Sequence, residues 1–261
     1  MLQLSELAAP KAAKPTRTDA CETHGEFEAI NFIGRIWSKC PVCADEETAA
    51  RKAKEAAAER AAHKGAWEEQ IGRACIPPRF ADRTLKNYIA TTPAQQHALA
   101  FATAYADDFD KVMETGRCAM FVGNIGTGKT HLAAGIALRL MRRDNRLVLF
   151  SSVMQAVRSI KETWHKDSDA SEAQAIATLV RPDLLILDEV GVQFGSETEK
   201  LLMFEVLNER YGARKPTLLM SNLSLDEVRA YLGERIFDRL REDGGEAVAF
   251  DWVSYRGQVA A

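Results

Sequence analysis

Residues 123–130 read Gly123-Asn124-Ile125-Gly126-Thr127-Gly128-Lys129-Thr130 and meet the pattern G-x-x-x-x-G-K-[ST] in full. Glycines let backbone N–H groups turn inward around phosphate oxygens, and the helix that follows offers its positive N-terminal end. In such a loop Lys129 reaches the β and γ phosphates of ATP, and the Thr130 hydroxyl ligates Mg²⁺. A glycine-rich turn can match the pattern by chance, so context decides. Here the loop follows an apolar segment, Cys118–Val122, and opens an amphipathic one, Lys129–Arg142. Strand, loop and helix in that order are the context a nucleotide-binding loop requires.

Outward from the loop, Leu147–Ser151, Leu184–Leu187 and Thr217–Ser221 read as further strands. Pro93–Val112, residues 152–164 and 171–180, and Glu197–Tyr211 read as helices, the first with Leu99, Ala102, Phe109 and Val112 available for a core. Strands alternating with helices predict an α/β fold built on a mostly parallel sheet covered on both faces. Residues 183–189, DLLILDE, bring two acids to the carboxyl edge of that sheet, where ligands bind in open α/β folds. Asp188 is placed to hold Mg²⁺, and Glu189 to orient and polarise an attacking water. The strand Thr217–Ser221 also ends in an amide, Asn222. Taken alone, Asn222 reads either as a turn former or as a partner of the γ-phosphate or the water.

Upstream, Cys21-x₂-His24 and Cys40-x₂-Cys43 are separated by fifteen residues. Two close pairs of soft ligands suit a tetrahedral Zn²⁺ with no open position, hence a structural site. Cys75 and Cys118 fall outside this cluster and read as buried small residues. Residues 1–20 read as a flexible tail, 21–43 as the zinc-binding module and 44–75 as an exposed charged helix, rich in the best helix formers. Pro77 and Pro78 end that helix. Residues 76–261 form the nucleotide-binding domain.

Bulk properties exclude other classes. No apolar run approaches the roughly 20 residues a membrane-spanning helix needs, and the N-terminus has no apolar signal core. A cytoplasmic protein is expected. The net charge of −3 leaves nucleic-acid contact to local patches. One such patch is Arg158, Lys161, Trp164, His165 and Lys166, which combines cations with an aromatic for single-stranded DNA. Its rival reading is a solvated basic face with Trp164 in the core. For Arg139, Arg142, Arg143 and Arg146 the plain reading is a helix C-terminus favouring cations.

The series GNIGTGKT, LLILDE, LLMSN, GERIFDRLRE and DWVSYRG resembles the AAA+ helicase loaders of the bacterial DnaC type, with IstB-type transposition helper ATPases as close relatives. The resemblance covers about residues 75–257. It implies a P-loop AAA+ sheet flanked by helices and an ATPase that uses ATP and Mg²⁺. It further implies that Asn222 is the sensor-1 residue, Arg239 an arginine finger reaching a neighbour's ATP, and Arg256 the sensor-2 arginine of its own subunit. Arg235, one turn before Arg239, could assist. The implied partners are a replicative DnaB-type helicase, single-stranded DNA and, in the ATP state, further copies of the chain. Two rival functions stand beside this one. A transposition helper would partner a transposase, and a nucleotide-switched scaffold would not need Glu189 as a base.

Overall fold

The computed structural model describes residues 14–191 and 196–256. The chain divides into two compact units, Met1–Trp67 and Glu68–Ala261.

In the first unit β1 (Thr16–Cys21) pairs antiparallel with β2 (Gly25–Ile33), in register from Thr16↔Ile30 to Cys21↔Gly25. A two-residue strand, β3 (Ile36–Trp37), adds to β2 across a register shift. Residues 16–20, expected in the tail, are therefore a strand. The stretch Thr-Arg-Thr-Asp-Ala carries no apolar alternation, and its stability comes from pairing with β2. The rest of the expected tail, residues 1–13, lies outside the described residues. The charged helix is α1 (Pro41–Arg73), three residues earlier than expected. Pro41 suits its start, because a first-turn N–H has no intrahelical acceptor.

The second unit holds a five-stranded parallel sheet in the order β5-β6-β7-β4-β8. Its strands are β4 (Ala119–Gly123), β5 (Val148–Ser152), β6 (Leu184–Asp188), β7 (Thr217–Ser221) and β8 (Glu246–Phe250). β8 escapes the pattern reading, since Glu-Ala-Val-Ala-Phe is short and half exposed. It is parallel to β4 from Ala119↔Glu246 to Gly123↔Phe250. The expected helix Pro93–Val112 is two, α2 (Pro93–Asp107) and α3 (Phe109–Thr115). Asp108 leaves helical backbone at φ −95°, ψ 26° and serves as the cap of both. Ala98 and Ala102 are fully buried along α2, whereas Leu99 is only half-buried.

The remaining helices are α4 (Lys129–Asp144), α5 (Val153–Glu162), α6 (Glu172–Val180), α7 (Glu197–Gly212), α8 (Leu225–Leu232) and α9 (Glu234–Arg241). α2, α5, α6, α7 and α8 all start on capping boxes, with a Ser or Thr hydroxyl and a Gln or Glu three residues on exchanging bonds with each other's backbone. β6 is wholly buried from Leu184 to Leu187, and its apolar side chains pack with those of the neighbouring strands and covering helices.

Arg210 of α7 is fully buried, and no carboxylate among the described residues accepts a hydrogen bond from it. It donates instead to the carbonyls of Leu179, Val180, Pro182 and Pro216 and to the Thr217 hydroxyl, at 2.6–3.0 Å. The guanidinium ties the loops entering β6 and β7 together, and burial pulls it down to about 10. Cys118, at the foot of β4, is half-buried, but Cys75 is exposed, contrary to the expectation for a small apolar residue. Of the basic run at the end of α4, Arg139 and Arg143 pair with Asp107, and Arg146, two residues past the helix, pairs with Asp110. Among the described residues no helix is long and apolar enough to cross a membrane.

Candidate functional site

The loop 123–128 connects β4 to α4. Gly123 has φ +121°, and a Cβ there would lie 2.5 Å from the Phe250 carbonyl oxygen of β8. Gly128 caps α4 at φ +98°, where a Cβ would meet the Tyr88 ring at 2.8 Å. Both positions therefore exclude any side chain. Lys129 is buried, and its Nζ donates to the carbonyls of Gly123 and Asn124, each at 2.7 Å. Burial pulls its ammonium down to about 8. Asp188 opposes that shift and Arg256 adds to it.

Asp188 ends β6, and the Thr130 side chain lies close enough to lower its carboxyl slightly. The two residues expected to ligate Mg²⁺ are thus adjacent. Burial raises the Asp188 carboxyl, and the Glu189 N–H, which donates to Oδ1 at 2.8 Å, opposes the rise. Glu189 is exposed and sits at φ +61°, a left-handed conformation uncommon for a residue with a side chain. The next residue explains it. The Val190 N–H donates to the Met220 carbonyl at 3.0 Å, and the Ser221 hydroxyl donates to the Val190 carbonyl at 2.6 Å. These bonds pin the chain to β7 directly after Glu189. Strained residues of this kind cluster at functional sites.

Asn222 follows β7 and is exposed. Because β7 lies between β6 and β4, Asn222 occupies the same carboxyl edge as Asp188, Glu189 and Gly123. Arg256 is brought to the loop by its neighbour: the Tyr255 N–H donates to the Gly126 carbonyl at 2.9 Å. A Cβ on Gly126 would come within 3.4 Å of the Arg256 side chain. Asn124 is fastened to the same terminal segment, its N–H to the Phe250 carbonyl at 2.8 Å and its Nδ2 to the Asp251 carbonyl at 3.0 Å.

Arg239 is placed elsewhere. It lies on α9 with its guanidinium 4.8 Å from the Tyr211 ring centre and bonded to Asn208. It shares a hollow with Gly116, Cys118 and Thr217, which mark the amino ends of β4 and β7. That is the opposite edge of the sheet from the loop. Arg235 lies 5.6 Å from the Phe204 ring centre.

The basic patch follows its own course. α5 ends at Glu162, so Trp164, His165 and Lys166 lie beyond the helix. Arg158, Lys161 and His165 line a surface hollow of about 320 Å³, and Lys161 pairs with Glu199 at 3.0 Å. Trp164 is 49% exposed and bonds to Glu172, so it is not a core residue.

In the first unit the Sγ atoms of Cys21, Cys40 and Cys43 and a ring nitrogen of His24 lie within 4.8 Å of one another. His24 Nδ1 is 3.8, 3.8 and 3.3 Å from the three sulfurs, and Cys21 Sγ is 3.5 Å from Cys43 Sγ. A zinc tetrahedron with bonds of about 2.3 Å to sulfur has edges of roughly 3.8 Å, which these separations fit. The backbone N–H groups of Thr23 and His24 hold the Cys21 thiol down at about 6, while the adjacent Cys21 sulfur pushes Cys43 up to about 12, so the two share one proton between their sulfurs. His24 Nε2 lies 3.4 Å from Glu46, the outer contact that orients a ligating imidazole.

Sequence reading missed two participants, Tyr88 and Trp252, and placed Asn124 in the loop without its tie to the terminal segment. Tyr88 and Trp252 both donate to the Thr127 carbonyl, and Asn124 anchors the terminal segment. Tyr88 and Trp252 occur in family-like segments, but nothing in their spacing reveals a shared acceptor.

A parallel sheet in the order β5-β6-β7-β4-β8, a phosphate loop after β4 and an Asp–Glu pair after β6 define a P-loop protein of the AAA+ type. The sequence model of the IstB-like ATP binding proteins matches residues 88–258, and the chain belongs to that family. It is 34% identical to the replicative helicase loader DnaC of Escherichia coli (strain K12) over 206 residues, 78% of this chain and 81% of that one. It is 30% identical to the replicative helicase loader DnaC of Buchnera aphidicola subsp. Baizongia pistaciae (strain Bp), over 72% of this chain and 75% of that one. A crystal structure of the DnaC helicase loader has the same fold, with a TM-score of 0.60 at 23% identity over 66% of this chain and 99% of that one.

Proposed function

We propose that this chain is a cytoplasmic, ATP-hydrolysing loader that places a replicative DnaB-type helicase on single-stranded DNA. The observation that carries the reading is the convergence of Lys129, Thr130, Asp188 and Glu189 on one sheet edge, in a chain 34% identical over 206 residues to a helicase loader. Lys129 and the N–H groups of residues 123–130 bind the phosphates. Thr130 and Asp188 hold Mg²⁺, which when bound neutralises charge on the β and γ phosphates. Glu189 takes the proton of the attacking water, Asn222 orients that water, and Arg256 contacts the nucleotide of its own subunit. Arg239, remote from its own loop, serves a neighbouring subunit. Arg158, Lys161, Trp164, His165 and Lys166 bind single-stranded DNA.

The experiment mixes this chain with the replicative helicase of its host and circular single-stranded DNA. ATP is expected to increase the helicase retained on the circle, and Lys129→Ala to abolish the increase. Retention independent of this chain overturns the loader reading. The family's name keeps a second reading, a transposition helper. Capture of a transposase rather than a helicase by the full chain favours it.

The same proposal makes residues 16–43 a structural zinc module held by Cys21, His24, Cys40 and Cys43, the part that grips the helicase. Protein purified without chelator is expected to carry about one zinc per chain. Cys40→Ser lowers that content and exposes residues 16–43 to protease, while ATP binding persists. Metal-free protein with a protease-resistant N-terminal unit rejects the assignment.

A further inference from the structure

We infer that Trp252 and Tyr88 are positioning residues of the nucleotide site, jointly holding the Thr127–Gly128 peptide so that its N–H faces the phosphates. The inference rests on the nucleotide-binding reading of the loop and names the residues that shape it.

The argument is one of peptide geometry. In a planar trans peptide the C=O and the following N–H point in opposite directions. The Thr127 carbonyl accepts from Trp252 Nε1 at 3.0 Å and from the Tyr88 hydroxyl at 3.3 Å. The Gly128 N–H is thereby turned to the other side. The preceding peptide is fixed in the same way, because the Gly126 carbonyl accepts from the Tyr255 N–H at 2.9 Å and turns the Thr127 N–H away. Two consecutive inward N–H groups are the elements of an anion-binding nest. Glycine on both sides of Thr127 leaves these two peptides free to rotate, and the bond inside the loop, Thr127 Oγ1 to the Asn124 carbonyl at 2.8 Å, involves neither carbonyl, so contacts from outside the loop set their orientation.

Both donors are held by their surroundings. The Trp252 ring packs on Phe250 at 4.8 Å between centres, and Phe250 belongs to β8, the partner of β4. The Tyr88 ring meets His131 edge-on at 5.2 Å, and His131 Nε2 lies 3.0 Å from both the Thr84 carbonyl and Asn87 Oδ1. Burial pushes the Tyr88 phenol up to about 12, so it stays a donor across the working pH range. The loop is thus gripped from two segments that lie 39 and 125 residues away in the chain. Rotating the peptide breaks both bonds at once.

Trp252→Phe and Tyr88→Phe each delete one donor and keep an aromatic ring. Each is expected to raise the ATP dissociation constant and KM ~3–10-fold, and the pair ~10–100-fold, with a smaller fall in kcat. Melting without nucleotide should stay close to the parent, while the stabilisation ATP confers shrinks. Parental ATP affinity in the folded double variant overturns the clamp and leaves the nucleotide-binding reading intact. A loss confined to kcat, or a lower melting temperature with parental affinity, overturns it too. A parent chain that binds no ATP removes both readings.

Discussion

Glu189→Gln is expected to bind Mg·ATP as the parent does and to hydrolyse it ~10²–10⁴-fold more slowly, the usual contribution of a general base. The amide keeps the shape of the carboxyl and its place after β6 but cannot accept a proton from water. The left-handed backbone at Glu189 is imposed by the bonds of Val190 to Met220 and Ser221, none of which involves the Glu189 side chain. The substitution should therefore leave the local fold unchanged. Single-turnover hydrolysis measured beside equilibrium ATP binding separates chemistry from affinity. Asp188→Asn is the contrasting variant, because it touches the proposed Mg²⁺ ligand and should weaken metal-dependent binding as well. Parental turnover in Glu189→Gln removes Glu189 from the role of base. It would also revive the scaffold reading, in which nucleotide acts as a switch without hydrolysis.

How far the sequence could be read depended on whether a signal was local. The loop 123–130 was legible because pattern, strand and helix are contiguous, and Asp188–Glu189 because a wholly buried strand ends in two acids. The Cys21–His24 and Cys40–Cys43 pairs were legible from spacing, and their four ligand atoms do converge. What could not be read depends on contacts between distant residues. β8 is defined by pairing with β4, and β1 by pairing with β2, not by any period of their own. Arg210 looks like one more surface cation on a charged helix, yet it is fully buried among acceptors supplied by segments 28–31 and 6–7 residues away. Trp164, with two plausible settings, is exposed because α5 stops two residues before it. The break at Asp108 was hidden because Phe109 and Val112 continue the apolar spacing of α2 while the backbone bends beneath them.

Arg239→Ala is expected to leave ATP binding to an isolated chain unchanged and to lower hydrolysis by the assembled protein. Arginine fingers contribute ~10³-fold or more where they act, because a planar guanidinium matches the charge that builds on the phosphoryl oxygens. The geometry within one chain already separates Arg239 from its own site, since it stands at the amino edge of β4 and β7 and the loop stands at the carboxyl edge. Its present partners are Asn208 and the Tyr211 ring, and among the described residues it forms no ion pair. A guanidinium held by a neutral amide and a ring face can be redirected to phosphate without breaking an ion pair. Mixing two inactive proteins makes the test. Arg239→Ala retains a working loop and lacks a finger, whereas Lys129→Ala retains the finger and lacks a working loop. Hydrolysis should reappear when they are combined with saturating ATP and single-stranded DNA, and should track the concentration of the scarcer partner. A mixture that stays inactive, although both variants fold and Arg239→Ala binds ATP, shows that Arg239 does not act across a subunit boundary. In that outcome its role is confined to packing α9 against α7, and the case for association in the ATP state loses its main residue.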